Sequence, residues 1–152
     1  MKIIADTPTL FSPEEGEKYG IKIIPSCTII DGEVYKDYID IGNEAFIERI
    51  EKGSVPTTSQ PAIGDILETF EENDEEILFL PIGDGLSGTY QNAVGAKNCV
   101  DKNENIHILD TKTLGGPQRY LVKKALELKE KGFSMEKIKE ELLRRIETSV
   151  SF

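Results

Sequence analysis

The chain has 152 residues, 30% of them charged and 38% hydrophobic, which suits one soluble globular domain with a single core. Its 28 acidic against 18 basic residues give a net charge of -10; this repels phosphate backbones and anionic membrane surfaces, so nucleic-acid partners are excluded. Two cysteines and one histidine make neither a disulfide framework nor a zinc cluster, and no stretch approaches the roughly 20 apolar residues that span a bilayer. The expectation is a cytoplasmic protein without stable membrane insertion, with Cys27 and Cys99 as small buried hydrophobes.

Lys2–Ala5 reads as a first apolar strand, closed by the polar turn Asp6-Thr7-Pro8-Thr9. Ser12-Pro13-Glu14-Glu15 is a helix start with a cap, a proline at the first position and a glutamate at the third. Ile21–Ile30 is β-branched and extended, bent at Pro25. Asp31-Gly32 is a hairpin turn leading into Glu33-Val34-Tyr35. Asn43 caps a helix to about Lys52, with Phe46, Ile47 and Ile50 on one face. Ser54–Pro61 is a hydroxyl-rich loop. A helix over Ile63–Glu72 turns Ile66, Leu67 and Phe70 inward. Glu75–Leu80 is a buried strand, followed by a glycine loop and a helix from about Gly88 to Asn98. Ile106–Leu109 is a strand ending in Asp110-Thr111-Lys112-Thr113. Helices over Gln118–Lys131 and Met135–Ile146 are separated by Gly132-Phe133-Ser134, with Ser134 as a cap. This alternation predicts an α/β fold: a mostly parallel sheet flanked by helices, with a small β-hairpin.

In an open α/β sheet, ligands bind outside the C-terminal ends of the strands. Asp6–Thr9, Gly83–Thr89 and Asp110–Thr113 fall at such ends, and Thr57–Gln60 is a further candidate. Gly83 and Gly88 have P-loop spacing, but Thr89-Tyr90 stand where lysine and a hydroxyl residue belong, so nucleotide hydrolysis is rejected and no cofactor is expected. Gly85-Leu86-Ser87-Gly88-Thr89 misses a nucleophile elbow by one position. A small serine hydrolase using Ser87 with His107 stays open as an alternative, as does a ligand-free structural or regulatory domain. Asp6, Asp84 and Asp110 are either turn and helix caps or ligands of a hard cation, and capping is the favoured role; no metal is expected. What remains is a binding loop of hydroxyls and backbone N–H groups at a helix start, suited to an anionic head group.

Three motifs occur in order: Thr58-Ser59-Gln60-Pro61, Gly85-Leu86-Ser87-Gly88-Thr89-Tyr90-Gln91 and Leu109-Asp110-Thr111-Lys112-Thr113. With the hairpin Ile29–Asp37, they make the chain resemble the DegV family from its first residue to its last. The resemblance implies a DegV-like N-terminal domain over residues 1–152, with the family's second domain absent or truncated. It implies a protein that binds a long-chain fatty acid, does no chemistry itself, and presents the carboxylate to a separate fatty acid kinase. Carried over by motif, the carboxylate contacts are Thr58, Ser87 and the Gly88 N–H, with Asp6, Thr7, Ser59, Asp84 and Thr89 as additional pocket residues. Gly83-Asp84 stand where the family carries two serines. Asp84 would repel a bound carboxylate unless one of the two is protonated or Asp84 points away. A first domain alone would expose half of a lipid tunnel as an apolar patch. Ser149–Phe152 resembles the strand that leads into the second domain.

Overall fold

The computed structural model describes residues 1–148; the expected strand at Ser149–Phe152 lies outside them. The frame is a four-stranded parallel sheet in the order β2 (Ile21–Ile24), β1 (Lys2–Asp6), β6 (Ile77–Leu80), β7 (Ile106–Ile108). β6 is apolar and buried at every position, and β1 is apolar from Ile3 to Ala5, because both faces are covered. On one face, Ile3 and Ala5 of β1 and Leu78 and Leu80 of β6 pack under α5 (Gly115–Glu130) and α6 (Met135–Thr148). On the other, Ile4, Ile77 and Phe79 pack against Ile66 and Phe70 of α3 (Ile63–Glu71) and Ala93 and Ala96 of α4 (Thr89–Asn98). Burial of a single such large side chain contributes about 1.5–3 kcal/mol, so the sheet is held by its two faces rather than by its edges.

A second, antiparallel sheet has the order β4 (Glu33–Lys36), β3 (Cys27–Ile30), β5 (Thr57–Ser59). The stretch expected as one extended segment over Ile21–Ile30 is thus two strands. The break falls at Pro25-Ser26, where proline removes a ladder donor and the Ser26 N–H donates instead to Thr7 Oγ1 at 3.0 Å. The Asp-Gly turn behaves as its sequence predicts, with φ of 52° at Asp31 and 82° at Gly32. The Thr57–Gln60 segment, expected as loop, is mostly strand: Thr58 pairs with Thr28 and Ser59 with Cys27. Its hydroxyl-rich composition suggested a loop, but two adjacent β-branched threonines favour a pleated partner.

Three other expectations are corrected, two of them at helix starts. Gly42, not Asn43, is the cap of α2 (Asn43–Glu51), and Asn43 lies inside the first turn. The helix α5 starts at Gly115, three residues before Gln118; Pro117 is tolerated because first-turn N–H groups have no intrahelical partner. Cys27 is buried as expected, whereas Cys99 is exposed. The caps at Ser12 and Ser134 form: Ser12 Oγ accepts from Glu15 N at 3.1 Å before α1 (Pro13–Lys18), and Ser134 Oγ accepts from Lys137 N at 3.3 Å. Among the described residues, no helix is long and apolar enough to cross a membrane.

Gly83 is required by close approach of two loops. Its N–H donates to Thr113 O at 2.8 Å, and a Cβ there would lie 2.7 Å from the Lys112 carbonyl carbon and the Thr113 nitrogen. Backbone cannot step aside, so Gly83→Ala is expected to lower stability by about 1–3 kcal/mol in urea unfolding. Gly64→Ala in the first turn of α3, where a Cβ meets nothing within 4 Å, is expected to be neutral or stabilising by up to about 1 kcal/mol.

Candidate functional site

The chain leaves β1 toward the edge strand β2 and returns on the other side of β1 as β6. The point where strand order reverses therefore lies between the C-terminal ends of β1 and β6, where the two connections diverge and open a crevice. Asp6 ends β1 at this point and is fully buried. Its Oδ1 and Oδ2 lie 3.2 and 3.0 Å from the Ile82 N–H, and Gln118 Nε2 donates to Oδ1 at 2.7 Å and to Leu80 O at 3.1 Å. Burial pushes the Asp6 carboxyl up to about 6, against the Ile82 and Gln118 hydrogen bonds that favour its charged form. Among the described residues Gln118 Oε1 is buried with no hydrogen-bond partner.

Above this carboxylate a cavity of about 530 Å³ is open to solvent. Thr7 and Pro8 from the end of β1, Ile82, Leu86 and Ser87 from the loop after β6, and Leu114 before α5 form its large-sheet side. Ser26, Asp37, Tyr38, Thr58, Ser59 and Gln60 form its small-sheet side. The two sides are joined by Asp37: Thr7 Oγ1 donates to Oδ2 at 3.2 Å and Thr28 Oγ1 donates to Oδ1 at 2.6 Å. Asp37 N also donates to Ser26 O at 2.9 Å. Because Thr28 and Thr58 are directly paired, their side chains share one face of the small sheet, the face that carries Asp37.

The glycine loop shapes the opposite wall. Gly85 has a φ of 89°, which only glycine adopts without strain. Ser87 Oγ lies 3.0 Å from Thr89 Oγ1 and accepts from the N–H of Thr89, the first residue of α4, at 3.4 Å while lining the cavity. Gly88 is half-buried against the Gln60 side chain, which a Cβ would approach to 3.2 Å. Asp84 does not line the cavity; its Oδ2 accepts from Gln91 Nε2 at 3.2 Å. The Asp110–Thr113 turn buttresses the loop from behind: Asp110 Oδ1 accepts from Asp84 N and Lys112 N, both at 2.9 Å, and Thr111 Oγ1 donates to Pro81 O at 2.7 Å.

The family model described as "Uncharacterised protein, DegV family" matches residues 1–152. The chain belongs to the DegV family. It is 37% identical over 129 residues to a DegV domain-containing 15.5 kDa protein of Staphylococcus aureus, covering 83% of this chain and 91% of that relative. It is 35% identical over 143 residues to a DegV domain-containing protein of S. aureus strain N315, of which it spans 50%. Apart from the 15.5 kDa protein, it spans about half the length of the curated relatives it matches. Among solved structures it is similar to DegV of Bacillus subtilis, a fatty acid binding protein (TM-score 0.85, 29% identity, 97% of this chain and 54% of that one). It is also similar to a stearic acid-binding protein of Eubacterium ventriosum (TM-score 0.83, 28% identity, 93% and 51%).

Of the residues carried over by DegV motifs, Thr58, Ser87, Thr7 and Ser59 are brought together in the cavity lining. Gly88 adjoins it through Gln60, whereas Asp6 and Thr89 are buried beneath it and Asp84 faces away. Asp110 caps its own turn through Lys112 N, whereas Asp6 makes no local cap and accepts instead from Ile82 and Gln118; among the described residues no group of three or more His, Cys, Asp or Glu side chains is placed to hold a metal ion. His107 sits on β7, beside Lys139 Nζ at 3.1 Å, and does not line the cavity. Sequence reasoning missed Asp37 and Tyr38 as lining residues. Counting the ladder back from the two-residue Asp31-Gly32 turn places Asp37 opposite Ser26, where the chain passes between sheets, and that register was the available signal.

A carboxyl with a raised pKa in the folded state binds protons more tightly there than in the unfolded chain, so its contribution is present at low pH and is lost as pH rises. Between about pH 4 and pH 6, ionisation of Asp6 withdraws about 3 kcal/mol of stability. In Asp6→Asn the amide oxygen still accepts from Ile82, and the difference in unfolding free energy between variant and wild type is expected to shift in the variant's favour across that interval. A flat difference curve in urea titrations from pH 4 to 7 would contradict it.

Proposed function

We propose that this chain is a cytoplasmic binding protein for a long-chain fatty acid, with the head group between Thr58 and Ser87, near the Gly88 N–H. The observation that carries the reading is the cavity at the strand-order reversal, where Thr58 of the small sheet and Ser87 of the loop after β6 line one space beside apolar side chains. A fatty acid needs a small polar clamp and a large apolar wall. Its tail would gain about 0.8 kcal/mol per buried methylene along Ile82, Leu86, Leu114 and Tyr38. Leu86, Tyr38 and Leu114 are 55%, 51% and 44% exposed, an apolar rim of the kind a bound tail would cover. A volume of about 530 Å³ is within the ordinary range for small-molecule sites. The solved DegV relatives crystallised with or described as binding fatty acids support the same class of ligand.

In this reading the protein does no chemistry. It holds the lipid and offers the head group to a separate fatty acid kinase, and the family's second domain completes the tunnel. The hydrolase alternative loses its base, because the chain's one histidine is on β7 against α6 rather than at Ser87.

Each clamp hydroxyl donates to a charged or polar head, an interaction of about 1.5–3 kcal/mol when one partner is charged. Thr58→Ala and Ser87→Ala should each weaken fatty-acid binding about tenfold or more by titration calorimetry, with the fold intact by circular dichroism. Native mass spectrometry with no co-purified lipid, together with no uptake of added palmitate or oleate, would sink the reading for this chain.

A further inference from the structure

Gly88 is a glycine for a reason that its own backbone does not supply. Its φ of -76° is negative and needs no glycine, unlike the φ of 89° at Gly85. What it lacks is room for a side chain. A Cβ there would lie 3.2 Å from Cδ and Nε2 of Gln60 and 3.4 Å from its Oε1. Three atoms of one planar amide at nearly equal distance place that amide face-on over Gly88. The contact joins the two segments that carry the head-group hydroxyls, Thr58 before Gln60 and Ser87 before Gly88. Gln60 is held on both sides. Ser59 before it pairs with Cys27 in the small sheet, and Pro61 O after it accepts from Asn92 Nδ2 at 3.4 Å. Asn92 N in turn donates to Gly88 O at 3.0 Å, so the turn of α4 that begins at Gly88 also tethers the chain just past Gln60. Gln60, Thr58 and Ser87 all line the cavity, and the spacing of Thr58 and Gln60 puts both side chains on one face of an extended segment. Among the described residues no hydrogen bond engages the Gln60 amide. A hydroxyl can donate or accept and so serves an acid or an alcohol alike, whereas an amide N–H only donates, and it bonds most strongly to a charged acceptor.

We infer that Gln60 is a third head-group residue, donating its amide N–H to the ligand carboxylate between Thr58 and Ser87, and that Gly88 is the seat that sets the plane of this amide. Gln60 is the specificity-determining residue of the pair and Gly88 the positioning residue. The inference rests on the fatty-acid reading and adds to it the donor that favours an acid over an alcohol of the same chain. A side chain at residue 88 would lift the amide by a few tenths of an ångström, enough to lengthen its hydrogen bond while leaving the residue 88 N–H in place.

Titration calorimetry on the whole chain tests it, with dodecanoate and 1-dodecanol below their aggregation limits. Gln60→Glu, equal in size but anionic, should lower the ratio of acid to alcohol affinity about tenfold or more. Gln60→Met, equal in length but without the amide, should lower the same ratio about three- to tenfold. Gly88→Ala should weaken dodecanoate binding about threefold or more, and in a Gln60→Ala background the same change should add nothing, because the group it displaces is already gone. A Gln60 that only supports the fold would move both lipids together. An acid-to-alcohol ratio unchanged in Gln60→Glu and Gln60→Met, or additive effects of Gly88→Ala and Gln60→Ala, would overturn the role of Gln60 and leave the lipid reading standing. Failure of both lipids to bind the wild type would overturn both. If Gln60→Glu does not fold, Gln60→Met and the Gly88–Gln60 cycle decide the question.

Discussion

Asp6 ends the central strand inside the protein, and its carboxylate is the shared acceptor for the Ile82 N–H of the loop after β6 and the Gln118 amide of α5. Three segments far apart in sequence thereby meet at one group. The connection out of β1 begins at the next residue, and the loop that carries Ser87 begins at Ile82, so the width of the crevice is set at this carboxylate. Nothing but close hydrogen bonding makes a fully buried carboxylate tolerable, and its raised pKa records that the compensation is incomplete. Among the described residues Gln118 Oε1, beside it, also lacks a hydrogen-bond partner. Strain at a site that must hold fixed loops is common where a binding surface is organised ahead of its ligand.

Polar groups also link the second sheet to this frame. Thr7 Oγ1 accepts from Ser26 N and donates to Asp37, and Thr28 donates to the other oxygen of the same carboxylate. The two walls of the cavity are therefore linked by a short chain of hydrogen bonds at its floor, while the upper rim stays apolar and open. This gives a cavity with one polar end and one apolar end, the division a long amphiphile needs.

Most of the large sheet was legible in the sequence because strands buried on both faces read as unbroken apolar runs, as in Ile77–Leu80. The Asp-Gly turn and the Ser12 and Ser134 caps were legible because each depends on a few adjacent residues. The strand at Thr57–Ser59 was not, since its pairing with β3 is a long-range contact and its composition is that of a loop. The site was half legible. Thr58 and Ser87 stand in recognisable motifs, but the group that joins the walls, Asp37, carries no local signature beyond its place in the hairpin register. Asp84 accepts from Gln91 outside the cavity, and the acidic side chain in the lining is Asp37 instead.

The helix α2 has no buried residue, and Ile47 and Ile50 remain exposed on it. It is anchored by Arg49, whose guanidinium reaches Asp31 Oδ2 at 2.8 Å at the hairpin turn, and by Ser54, which donates to the same oxygen. An anchor of surface charge is weak and screened by salt, whereas β1 and β6 are sealed by two apolar layers. The molecule is thus graded in cooperativity. Amide protons of α2 are expected to exchange with solvent through local openings whose free energy falls with ionic strength, and those of the central strands only when the whole chain unfolds.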